Sequence, residues 1–148
     1  MPLSNKEYLQ INQALFSLTH AYESRMADES GSDSGLSLSD CSVLMVLYQS
    51  VPTTAAHLSE IMDINPGTIS VYVQRLVIKG LVMRKQDADD RRNWWLSLTD
   101  VGLPVAKMVV ESAVTYTRDF LAALNEEEQQ ALQRILLKVS HSLGFDWQ

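Results

Sequence analysis

The feature that most constrains this chain is the punctuation of its middle third. Thr53 or Thr54 suits the N-cap of a short helix carrying Ala56, Leu58, Ile61 and Met62. Asn65 suits the cap of a second helix, with Pro66 at the first helical position, where its missing N–H costs nothing. That helix is expected to run to about Lys79 and stop at Gly80. A short helix, a tight turn and a longer helix have the spacing of a helix-turn-helix. Residues 81–86 then read as a strand and Asp87-Ala88-Asp89-Asp90 as a polar turn. Residues 93–98 read as a second strand, with Trp94, Leu96 and Leu98 on one face and Trp95 and Ser97 on the other. A β-hairpin placed directly after a helix-turn-helix is a wing.

The flanks are helical. Leu9, Ile11, Leu15, Phe16, Leu18 and Tyr22 recur at helical spacing over residues 6–26. Residues 28–39, rich in Ser, Asp and Gly, read as a loop. Ser39 and Asp40 suit a helix N-terminus, and Val43, Leu44, Val46 and Leu47 carry the helix to about Ser50, before Pro52. Thr99 is expected to cap a long helix over residues 100–124. At 1.5 Å per residue it spans roughly 36 Å, more than one small domain needs. Pro104 in its first turn is expected to kink it. Asn125 and Glu128 resemble a capping box, opening a last helix with Leu132, Ile135, Leu136, Val139 and Leu143 on one face. These helices are surplus to one small core and are expected to pack against a second copy of the chain. The predicted architecture is mainly α with a small β-hairpin wing. Residues 1–36 form an N-terminal dimerisation helix and loop, 37–99 a winged helix-turn-helix module, and 100–148 C-terminal dimerisation helices.

Composition removes several function classes. The 148 residues are 46% hydrophobic and hold one cysteine, Cys41, so neither an intramolecular disulfide nor a four-thiolate metal site can form. His20, His57 and His141 lie far apart in sequence, and no metal site or cofactor is expected. His20, Asp40 and Cys41 are the only metal-sensing candidates. There is no Gly-rich phosphate loop and no nucleophile with its base, so no catalytic residues are assigned and an enzyme is not expected. Glu126, Glu127 and Glu128 complement a helix dipole instead. No apolar run approaches membrane-spanning length, and Asn5, Lys6 and Glu7 interrupt any signal-peptide core. A cytoplasmic protein without a membrane partner is the expectation. The net charge of −6 argues against a polyanionic partner, but its distribution argues for one. Arg75, Lys79, Arg84, Lys85, Arg91 and Arg92, half of all the basic residues, cluster against only Asp87, Asp89 and Asp90. Local potential decides where a polyanion docks.

On the helix after Asn65, Ile69, Tyr72, Val73 and Leu76 share one arc and form the expected buried face. Gly67, Ser70, Val71 and Gln74 point the other way, with Arg75 at an edge. That outward face suits a major groove: Gln can pair with adenine, Val can touch a thymine methyl, and Gly admits close approach. Thr68 and Arg75 are better placed for phosphates, which set register.

These residues carry a family resemblance. His57-Leu58-Ser59-Glu60-Ile61, Asn65-Pro66-Gly67-Thr68-Ile69-Ser70, Val73-Gln74-Arg75-Leu76 and Lys79-Gly80-Leu81-Val82 resemble the core of MarR-family regulators. So do the wing, Asp87-Ala88-Asp89-Asp90-Arg91-Arg92, with its Asp-x-Arg pattern, and Leu98-Thr99-Asp100-Val101-Gly102 after it. The resemblance covers about residues 40–102. It implies a sequence-specific transcriptional regulator, a homodimer binding double-stranded DNA at a pseudo-palindromic operator. It further implies that Arg92 enters a minor groove while Asp90 holds it, with Arg84, Lys85 and Arg91 alongside. Pro66 departs from the polar or basic residue of many relatives, and the Trp94-Trp95 pair is unusual.

The resemblance also implies a repressor released by a small molecule. A small aromatic ligand is a candidate partner, with Phe16, His20, Tyr22, Leu44 and Tyr48 as possible cleft residues; aromatic residues at this spacing also serve as core. Cys41 reads as a buried structural thiol rather than an oxidant sensor. The alternative reading, supported by the acidic total and Pro66, is a winged-helix protein-interaction module that has lost operator binding.

Overall fold

The computed structural model describes residues 1–29, 35–50 and 52–145. They fall into two compact units, Met1–Leu38 and Ser39–Gln148. The first is dominated by one helix, α1 (Asn5–Glu29). Ser4 and Glu7 start it with a reciprocal cap: the Ser4 amide donates to Glu7 Oε2 at 2.7 Å, and the Glu7 amide donates to Ser4 Oγ at 3.4 Å. Asp28, expected in a loop, is still helical. Residues 30–34 of that expected loop lie outside the described residues.

The second unit follows the order α2 (Leu38–Gln49), β1 (Thr53–Thr54), α3 (Ala55–Met62), α4 (Pro66–Ile78), β2 (Val82–Gln86), β3 (Trp94–Leu98), α5 (Gly102–Phe120), a 3₁₀ turn (Leu121–Ala123) and α6 (Glu126–Ser142). The fold is mainly helical, with one small antiparallel sheet in the order β1-β3-β2. Strand β1 adds to the expected hairpin. Two threonines have no period to detect, yet Thr53 pairs with Leu96 and Thr54 with Trp95. Thr54 serves twice, because its hydroxyl also caps α3 by accepting the His57 amide at 3.2 Å.

Leu44, Leu58, Ile69, Leu76, Leu96, Val43 and Val73 are fully buried and form the core with Val82 and Cys41. Between α3 and α4 the chain turns at Asp63, which adopts a left-handed φ of 48°, a conformation that Asp tolerates better than most residues. The Ser59 hydroxyl donates to the Ile64 carbonyl and closes the turn. At the far end of α4, Gly80 takes φ 74° and the chain leaves into the hairpin.

The helix starts refine the expected bounds. Ser39 and Asp40 lie at a helix N-terminus as expected: α2 begins at Leu38, and Asp40 sits within its first turn, buried at 2% exposure. Helix α5 begins at Gly102, although Thr99 does cap it by accepting the Gly102 amide at 2.9 Å. Pro104 falls in the first turn of α5, which runs to Phe120; most N–H groups there have no helical partner to lose. The Thr99 hydroxyl also donates to the Gly80 carbonyl at 2.6 Å, tying the end of α4 to the start of α5. The Asn125–Glu128 capping box forms as expected, with both bonds at 3.0 Å.

Candidate nucleic-acid interface

Helix α4 starts where Asn65 and Pro66 require it to. The Asn65 side-chain oxygen accepts the Gly67 amide at 2.8 Å, and Pro66 takes the first helical position. A side chain at Gly67 would bring its Cβ within 3.1 Å of that same Asn65 oxygen. Gly67 therefore has a reason within the cap itself, beside any approach to a ligand. Ile69, Val73 and Leu76 are the buried face. Pro66, Gly67, Ser70, Val71 and Gln74 are exposed, and Thr68 is half-buried. The outward face thus consists of small, amide and uncharged groups.

Arg75 is engaged across the fold. Its Nη2 and Nε donate to Asp40 Oδ1 at 2.9 and 3.2 Å, and its guanidinium lies 5.1 Å from the Tyr72 ring centroid. Tyr72 is accordingly only half-buried. The Asp40 side chain is 2% exposed and that of Arg75 41%, so the pair fastens α4 to α2 at the edge of the groove-facing surface. Arg75→Met keeps an apolar stem over Tyr72 but takes the guanidinium away from a buried carboxylate. It is expected to cost about 3 kcal/mol in urea unfolding, part of which Asp40→Asn in the same background should restore. An unchanged midpoint would show the pair to be dispensable.

The wing is built around two aspartates. Strands β2 and β3 pair from Val82–Leu98 to Gln86–Trp94. Asp87 Oδ1 accepts the amides of Asp89 at 2.8 Å and Asp90 at 3.0 Å. Asp87 Oδ2 accepts the Trp95 indole N–H at 2.6 Å. The backbone bonds from Asp90 and then Asp89, reinforced by Trp95, hold the Asp87 carboxyl below the usual carboxylate range. Asp90 Oδ1 accepts the backbone amide of Arg92 at 3.0 Å, while its Oδ2 accepts the Asn93 side-chain amide at 3.3 Å. Gln86 donates from its side chain to the Arg91 carbonyl at 2.7 Å. Asp90 therefore holds the chain at Arg92 and leaves its guanidinium alone. Arg84, Lys85, Arg91 and Arg92 are exposed, and the ion pairs among the described residues lie elsewhere. Two of the three wing carboxylates thus accept N–H groups of the turn, beside four exposed cations.

A model of the MarR family matches residues 36–94. The HTH-type transcriptional regulator PecS of Dickeya dadantii is 31% identical over 80% of this chain and 74% of its own length. The chain belongs to the MarR family. Solved structures share the fold. A MarR protein from Peptoclostridium difficile matches with a TM-score of 0.84 at 22% identity, covering 99% of this chain and 95% of that one. FabT of Streptococcus pneumoniae, solved in complex with DNA, matches with a TM-score of 0.77 at 21% identity, covering 92% and 96%. As a member of the MarR family the chain is a DNA-binding transcriptional regulator. Its α3, α4 and hairpin are the winged helix-turn-helix.

The expected ligand residues of this MarR chain belong to both units. Phe16, His20 and Tyr22 are exposed on α1, whereas Leu44 is fully buried in α2 and Tyr48 is partly exposed. Leu44 packs inside the core at 0% exposure. A groove on α2 is lined by Met45 and Gln49, which face Val110, Ala113, Val114 and Thr117 of α5 across about 270 Å³. A second cleft of about 230 Å³ separates α4 from the wing, with Ser70, Arg84 and Trp94 among its walls. Cys41 is buried. Among the described residues no helix is long and apolar enough to cross a membrane, and none of the His, Cys, Asp and Glu residues gather in threes.

Proposed function

We propose that this MarR-family chain is a homodimeric repressor that sets α4 into a major groove of its operator and Arg92 into the flanking minor groove. The observation that carries this reading is the pairing of two surfaces. An uncharged, small-residue face of α4 suits base edges. Beside it stands a wing in which the Asp87 and Asp90 carboxylates accept N–H groups while Arg91 and Arg92 remain exposed. A narrow minor groove concentrates negative potential and attracts Arg.

The homodimer follows from exposed apolar surface. Helix α1 exposes Tyr8, Leu9, Ile11, Leu15 and Phe16, and the C-terminal helix exposes Ile135, Leu136, Val139 and Leu143. Apolar surface on this scale, outside the core of either unit, suits association with a second copy. Two-fold symmetry calls for a pseudo-palindromic site with half-sites about one helical turn apart. Release by a small aromatic ligand completes the proposal. The α2–α5 groove of about 270 Å³ is near the lower end of ligand-pocket volumes, roughly 300–1,000 Å³, which suits one ring.

Selection of bound duplexes from a random library at moderate salt tests the reading. Enrichment of a pseudo-palindrome is the expected result, followed by its displacement when aromatic carboxylates and phenols are added. Enrichment without displacement would remove the release step only. A folded protein that enriches no duplex would sink operator binding in favour of a protein-interaction module.

A further inference from the structure

The tip of the wing has to project Arg92 from a seven-residue reversal, Asp87 to Asn93, between the last paired positions of β2 and β3. Such tips are ordinarily the loosest part of a hairpin, and ordering one on binding costs conformational entropy. Here the reversal is closed in sequence order by the Asp87 amide donating to the Asn93 carbonyl at 2.9 Å and the Asn93 amide to the Asp90 carbonyl at 3.0 Å. The remaining bonds centre on two carboxylates, those of Asp87 and Asp90, with one more from the Gln86 side chain to the Arg91 carbonyl.

The Asp87 carboxylate is itself oriented from outside the turn. Trp95 belongs to β3 and pairs across the sheet with Lys85. Its ring is 39% exposed, an odd place for the largest side chain if packing were its purpose. Its indole N–H instead reaches back eight residues to Asp87 Oδ2 at 2.6 Å. The other oxygen of Asp87 then faces the Asp89 and Asp90 amides, and Asp90 in turn fixes the Arg92 amide.

We infer that Trp95 is a positioning residue for DNA binding: through Asp87 and Asp90 it presets the wing tip that presents Arg92. The inference rests on the operator-binding reading above. A carboxylate kept ionised by its donors serves this purpose well, since a charged acceptor makes stronger hydrogen bonds than a neutral one. The indole and its N–H also explain why β3 holds Trp at a half-exposed position that any β-former could fill.

Two variants cut the strut from opposite ends. Trp95→Phe keeps an aromatic ring and removes the N–H. Asp87→Asn keeps an oxygen for the Asp89 and Asp90 amides but can turn an NH₂ group toward the indole N–H. Both are expected to speed hydrogen exchange at the Asp89 and Asp90 amides in the free protein, while exchange in the core around Leu58 and Leu76 is unchanged. On the duplex selected by the wild type, Trp95→Phe is expected to weaken binding about 10–100-fold, the range of one hydrogen bond lost in each subunit of the dimer. In an Arg92→Ala background it should weaken binding no further, because the strut acts only through the arginine.

An undiminished loss in that background would overturn the inference by assigning Trp95 a contact or a stability role of its own. Unchanged exchange at Asp89 and Asp90 in both variants would overturn it without reference to DNA. If Trp95→Phe does not fold, Asp87→Asn still decides the matter by exchange, with the indole in place. A wild-type protein that selects no duplex would overturn the operator reading and this inference with it.

Discussion

Gly102→Ala is expected to destabilise the protein by about 3 kcal/mol, read as a lower urea midpoint with an unchanged slope. A Cβ at this position would stand 1.9 Å from the Leu81 carbonyl oxygen, 2.7 Å from its carbon and 3.0 Å from Leu81 Cα. All three atoms are backbone, so no side-chain rotation relieves the overlap. Nor can Leu81 retreat cheaply, because its carbonyl accepts the Thr99 amide at 3.0 Å and its own amide donates to the Leu76 carbonyl at 3.0 Å. Moving it would loosen the end of α4, the base of β2 and the start of α5 together. Gly80→Ala is the control. Gly80 has a left-handed φ of 74° but no atom within 4 Å of an added Cβ, so only backbone strain of about 1 kcal/mol is expected. Equal losses at the two glycines would show that the Leu81 overlap is relieved elsewhere.

That contact explains why the stretch from Leu98 to Gly102 is legible as a motif in the amino-acid sequence. Thr99 bonds in both directions and Gly102 permits backbone to touch backbone, so both residue types are dictated by local chemistry. The same holds for Asn65 with Pro66, for Asn125 with Glu128, and for the β-hairpin, each a short-range pattern whose partner lies within a few residues. What the sequence hides depends on partners farther away or on too few residues. Asp40 has the look of a helix cap because Asp usually is one there; that it is buried against Arg75, 35 residues on, is a tertiary fact that no local pattern encodes. Strand β1 is two residues long and exists because β3 offers it an edge. The Trp95–Asp87 bond sits between these cases. Alternation puts Trp95 on the opposite face from Leu96, and the hairpin register places it close to the turn, but only the rotamer reveals that the indole points at Asp87. For the outward residues of α4 the sequence face and the structural face agree, since one buried triad, Ile69, Val73 and Leu76, determines both.

Arg92→Ala is expected to lower affinity for the selected operator by about 30-fold or more. An arginine reading a groove carries about 1–3 kcal/mol of binding, and a two-fold dimer loses two of them at once, which is about 2–6 kcal/mol for the complex. Arg92 is suited to this because its backbone is fixed by Asp90 while its side chain is exposed. Arg84 and Lys85 differ. They lie along β2, below the tip, where a cation meets phosphate rather than base edges. Replacing either should weaken binding evenly across sequences and flatten the dependence of affinity on salt by about one ion per contact removed. The two classes separate in one titration series, carried out at two salt concentrations on the operator and on a duplex altered only in its flanks. Arg92→Ala should erase the preference for the original flanks, and Lys85→Ala should leave that preference intact while the salt slope falls. If Arg92→Ala changes only the salt slope and retains the flank preference, Arg92 is a phosphate contact, and sequence reading in this protein belongs to α4 alone.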